Sequence, residues 1–93
     1  MTMTVFAVQL DFDQDEEHRL EVRPRHRDYL QRLTGEGRLR SAGPFADGAG
    51  ALLVYDVTDR AELDAVLADD PYFSGQPAAT VASVREWQIL PLG

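Results

Sequence analysis

Short runs that are apolar on both faces alternate along this chain with stretches carrying a single apolar stripe. Met3 to Leu10 is the first run, with Val5, Phe6, Ala7, Val8 and Leu10 ahead of Asp11-Phe12-Asp13. Its length and β-branched content predict a strand. Phe6, Val8 and Leu10 share one face and Val5 and Ala7 the other, so both faces expect cover. Gln14 to Val22 is polar and acidic and predicts no more than a loose turn of helix, since the residues before Pro24 are biased out of the α region. Pro24 then suits a first helical position, where its missing N–H is harmless. From there His26, Tyr29, Leu30 and Leu33 fall at i, i+3, i+4 and i+7, one stripe of a helix that ends at Gly35 or Gly37. The stripe's single group that ionises near neutral pH is an imidazole.

Arg38 to Phe45 reads as a second strand, closed by Gly43-Pro44. Ala46 to Gly50 is a hairpin loop with Asp47-Gly48 as its turn signal. Ala51 to Val57 is a third strand, again apolar on both faces through Leu52, Leu53, Val54 and Tyr55. Asp59 with Glu62 resembles a capping box and opens a second helix, with Leu63, Val66 and Leu67 inward and Asp70-Pro71 as its stop. The last strand spans about Thr80 to Leu90, with Val81, Trp87 and Ile89 on one face and Val84 and Leu90 on the other. No repeat or linker interrupts the order βαββαβ. That order predicts an α+β, ferredoxin-like domain: a four-stranded antiparallel sheet with both helices on one face. The other face needs a cover, and a second copy of the chain is the simplest one.

Composition narrows the function classes. At 93 residues the chain makes one small domain, in which about 60–70% of the unfolded surface is buried, so a second subunit would help it. The net charge of −7, from sixteen acids and nine basic residues, argues against nucleic-acid or anionic-membrane partners, which need a clustered positive surface. The arginines around His26 read as a solvated helix face interleaved with acids. There is no cysteine, which excludes disulfides and thiolate chemistry. No apolar run approaches the about 20 residues of a bilayer span, and no signal peptide is evident, so a cytoplasmic location is expected.

Two residues carry candidate chemistry. His26 is either a packed histidine with satisfied nitrogens or a proton-transfer group, imidazole being suited to that task near neutral pH. Asp70 continues the inward stripe of the second helix beyond Leu67. It is either a chain-stopping Asp-Pro turn or a carboxylate turned towards His26, where it would fix the imidazole tautomer. His18 has no apolar companions and reads as solvent-exposed. Glycine-rich nucleotide loops, the G-x-S-x-G elbow and H-E-x-x-H are absent, so neither a cofactor nor a metal is expected.

Arg19-Leu20-Glu21-Val22-Arg23-Pro24-Arg25-His26, then Leu30 and Leu33, Ala42-Gly43-Pro44 and Asp70-Pro71-Tyr72 resemble the YciI-like (YCII-related) family over nearly the whole chain. The resemblance implies a single ferredoxin-like domain, residues 1–93, pairing sheet to sheet as a dimeric α/β barrel. It implies His26 and Asp70 as the signature pair, and pocket roles for Arg23, Ser41, Gly43 and Tyr72. It also implies the chemistry of its relatives, which include a dehydrochlorinase of a chlorinated hydroxyquinol and, by fold, muconolactone isomerases. The expected protein is a homodimer binding a small, cyclic or hydroxylated aromatic molecule, with cofactor-free elimination or isomerisation by a His-Asp dyad. The alternative is a non-catalytic binding or sensing dimer of the same fold.

Overall fold

A computed structural model describes residues 3–92. The elements run β1 (Thr4–Phe12), α1 (Glu16–Gly35), β2 (Leu39–Pro44), β3 (Gly50–Val57), α2 (Arg60–Ala68), a 3-10 turn at Pro71–Phe73, and β4 (Ala79–Glu86). The sheet order is β2-β3-β1-β4, and every neighbouring pair is antiparallel. This is the ferredoxin-like βαββαβ arrangement. Phe6, Val8 and Leu10 point inward from β1 beside Tyr55, Leu53 and Ala51 of β3, as the period of two requires. Val22, Tyr29 and Leu33 of α1 and Leu63 and Val66 of α2 close over them.

α1 departs from the expectation built on Pro24. It begins at Glu16, and Pro24 lies inside it. Asp15 caps the start by accepting the His18 N–H at 3.0 Å, and Glu16 and Glu17 favour the positive end of the helix. Pro24 takes away the donor that the Leu20 carbonyl would have met, a local penalty of about 3 kcal/mol inside a helix. Leu20 is exposed, so water can serve that carbonyl. Burial of Val22 one turn ahead of His26 supplies a reason to keep the helix going. At the other end Arg38 N–H bonds the Leu33 carbonyl at 2.9 Å and Gly37 N–H that of Thr34 at 3.1 Å. With Gly37 at φ +77 this is a Schellman ending, which selects Gly37 over Gly35 as the left-handed residue.

The Asp59 cap holds as expected, accepting Glu62 N–H at 2.9 Å, while the Glu62 carboxylate reaches back to Thr58 N–H at 2.7 Å. β4 corrects the assignment of faces. A register shift opposite Gln9 and Leu10 pairs Val84 with Val8 but Val81 with Leu10. One extra residue reverses the alternation, so Val81 and Val84 share a face. The strand ends at Glu86, which leaves Ile89 and Leu90 beyond it. At the head of β3, a Cβ added to Gly50 would run into the Leu10 carbonyl oxygen, so only glycine allows β1 and β3 to approach there.

Candidate active site

α1, the β2–β3 hairpin and the 3-10 turn enclose a cleft of about 480 Å³. His26 and Tyr72 line it, and Asp70 stands behind them. α2 stops at Ala68, and Asp70 is not its next helical residue. It caps the 3-10 turn instead, with Pro71 at the start of that turn, a position suited to proline. This turn, rather than the stripe of α2, swings the carboxylate inward to complete burial.

His26 Nδ1–H donates to Asp70 Oδ1 at 2.7 Å, and Tyr72 N–H donates to the same oxygen at 2.9 Å. A carboxylate oxygen accepting two bonds orders the ring so that Nδ1 carries the hydrogen and Nε2 the lone pair. His26 Nε2 has no hydrogen-bond partner among the described residues. Asp70 Oδ2 is buried and likewise unpartnered among them. The Tyr72 ring stacks on the imidazole, centroids 3.7 Å apart and planes 2° off parallel, and Phe12 meets Tyr72 edge-on at 6.4 Å. Tyr29 O–H donates to the Val66 carbonyl at 2.6 Å, tying α1 to α2 one turn from His26. Burial raises the Tyr29 phenol pKa, helped by the charges of Asp69 and Asp70. Burial raises that of Tyr55 further, with Asp70 and Tyr29 adding to the shift.

The other expected site residues divide. Arg23 lines the cleft from α1 and Tyr72 from the turn. Ser41 and Gly43 lie at its rim, but their cross-strand partners are Val54 and Leu52, on the sheet face away from the helices, so they reach the cleft from its edge. His18 is half-buried, not free in solvent, and its Nε2–H donates to the Gln76 carbonyl at 2.8 Å. The sequence reading also missed Arg19, Arg27 and Arg40, which line the cleft with Arg23. The spacing of four between Arg19, Arg23 and Arg27 was the available signal, since it puts them on one helix face. Among the described residues no cluster of histidine and carboxylate side chains suited to a metal ion occurs.

A family model of the YCII-related domain matches residues 3–88. The chain belongs to the YCII-related family. No curated protein matches it by sequence. Among solved structures, this YCII-related chain is similar to the 5-chloro-2-hydroxyhydroquinone dehydrochlorinase (TftG) of Burkholderia phenoliruptrix AC1100, determined in complex with 2,5-dihydroxybenzoquinone. The TM-score is 0.73 at 18% identity, covering 90% of this chain and 93% of that one. At that identity the likeness establishes a shared fold. Among the described residues of the YCII-related chain, no helix is long and apolar enough to cross a membrane.

Proposed function

We propose that this protein is a small-molecule enzyme in which His26 moves a proton to or from carbon, in an elimination or an isomerisation. The observation that carries the reading is the 2.7 Å bond from His26 Nδ1–H to Asp70, with Nε2 left unpartnered on a cleft-lining ring. A carboxylate on Nδ1 fixes the tautomer that leaves the Nε2 lone pair free and holds the ring in place as Nε2 takes a proton. Asp70 is the positioning residue, and Tyr72 sets the ring plane by stacking. Arg23 contacts substrate from α1, while Ser41 and Gly43 shape the rim. Proton abstraction followed by loss of a leaving group, or by return of the proton elsewhere, needs no redox partner.

The similar dehydrochlorinase directs the choice of probes towards hydroxylated and chlorinated six-membered rings. The protein should release chloride from a chlorinated, hydroxylated ring, or exchange ring or lactone C–H for deuterium in D2O. His26→Gln should lose this activity by on the order of 10²-fold or more while the melting temperature stays close to wild type. A variant that keeps its turnover would overturn the assignment. Saturable binding in wild type with neither turnover nor exchange would favour the non-catalytic binding domain.

The protein also works, in our reading, as a homodimer joined through the sheet face opposite the helices. That face carries a shallow hollow lined by Ala7, Gln9, Leu52, Ser83, Arg85 and Trp87, and Leu52 and Trp87 are large exposed apolar side chains on it.

A further inference from the structure

The cleft has a charge that the chain as a whole does not. The protein carries −7 overall, yet Arg19, Arg23, Arg27 and Arg40 line this cavity and no aspartate or glutamate does. Among the described residues Arg23 and Arg27 form no ion pair, while Arg19 has only a 3.7 Å approach to Glu16 and Arg40 a 4.0 Å one to Asp56. Arg19 lies over the Phe12 ring at 4.3 Å, with its side chain 12% exposed, and its buried Nε–H has no acceptor. A buried guanidinium N–H without an acceptor is unfavourable, and an anion in the cleft would relieve it. The opposite wall is apolar, built from Leu39, Ala51 and Leu53.

We propose, resting on the reading of His26 as the proton-transfer group, that the substrate is an organic acid: a compact carbon skeleton bearing a carboxylate. The carboxylate sits on the arginine column of α1, and the skeleton lies against the apolar wall. Guanidinium forks match a carboxylate in two parallel hydrogen bonds, which a neutral hydroxyl or ester cannot reproduce. Arg23 and Arg27 stand one turn before and one residue after His26, so they flank the imidazole along α1 and hold the acid group within about one helical turn of it. That places the reacting C–H close to the carboxyl group. A positive cleft in a negative protein also draws anions to this site and repels them elsewhere.

The test is titration calorimetry with matched probes: 2,5-dihydroxybenzoate, benzoate, and the methyl ester of 2,5-dihydroxybenzoic acid. The free acid should bind about tenfold or more tightly than its ester. Raising salt from about 20 to about 500 mM should weaken the acid and leave the ester unchanged. Arg23→Gln and Arg27→Gln, both cleft-lining and neither part of the buried core, should each cost the acid about tenfold and the ester little. Equal affinities for acid and ester, acid binding indifferent to both substitutions, or no saturation by either carboxylate would overturn the proposal. His26→Gln retaining turnover or deuterium exchange, with the arginine dependence intact, would instead remove the catalytic role of His26 and leave the anion site standing.

Discussion

The rings of His26 and Tyr72 lie face to face, 3.7 Å apart and 2° from parallel, because one oxygen holds both residues. Asp70 Oδ1 receives the imidazole Nδ1–H and the Tyr72 backbone N–H. The carboxylate therefore sets the tautomer of one ring and the position of the other.

Asp70→Asn tests that arrangement. An amide oxygen accepts more weakly than a carboxylate, so the fold should persist with a loss of about 1–3 kcal/mol. Any activity should fall by on the order of 10–100-fold or more. Nitrogen-15 spectra of the imidazole should show the hydrogen on Nδ1 in wild type and a mixture of tautomers in the variant. An unchanged tautomer would mean that Asp70 does not position the ring.

Tyr29→Phe removes the bond to the Val66 carbonyl and keeps the ring. A loss of about 1 kcal/mol is expected, which for a domain this size lowers the melting temperature by about 4–8 °C. Because the bond joins the two helices near the dyad, the His26 tautomer signal should broaden as well. Thermal unfolding followed by circular dichroism provides the first readout.

Stability should decline at alkaline pH. The Tyr55 and Tyr29 pKa values are both raised, chiefly by burial. Below about pH 10 both phenols are protonated in the folded and unfolded chain, and neither contributes a pH dependence. Above it the unfolded chain ionises first, so the unfolded state gains and stability is lost at up to about 1.4 kcal/mol per pH unit for the deeply buried Tyr55 phenol, and more gently for Tyr29. Urea unfolding from pH 8 to 11 should show this slope, and Tyr55→Phe should reduce it. A slope unaffected by the substitution would locate the titration elsewhere.

The homodimer has a direct check. Sedimentation at micromolar concentration should give a mass of two chains, since an interface of standard size, about 1,600 Å², holds partners together in that range. Leu52→Glu, placed on the open sheet face, should shift the mass to one chain without unfolding it. A monomeric wild type would refute the pairing.

Much of the molecule follows from short-range patterns in the sequence. The period-two runs, the Asp59–Glu62 cap, the Asp47-Gly48 turn and the His26 stripe report energies between residues a few positions apart. Those determine the element order and the face that bears the imidazole. Where a local rule met a long-range contact, the contact decided. The proline rule predicts a helix starting at Pro24, yet burial of Val22 and the Asp15 cap carry α1 back to Glu16. Alternation predicts the faces of β4, yet the shift opposite Gln9 and Leu10 exists only against its partner strand. Asp70 points inward because a 3-10 turn redirects the chain, not because α2 continues. The arginines looked like a wet helix face because their spacing records that they share a side of α1. It does not record what lies opposite. Only packing α1 over the β2–β3 hairpin turns that side into the wall of a cleft.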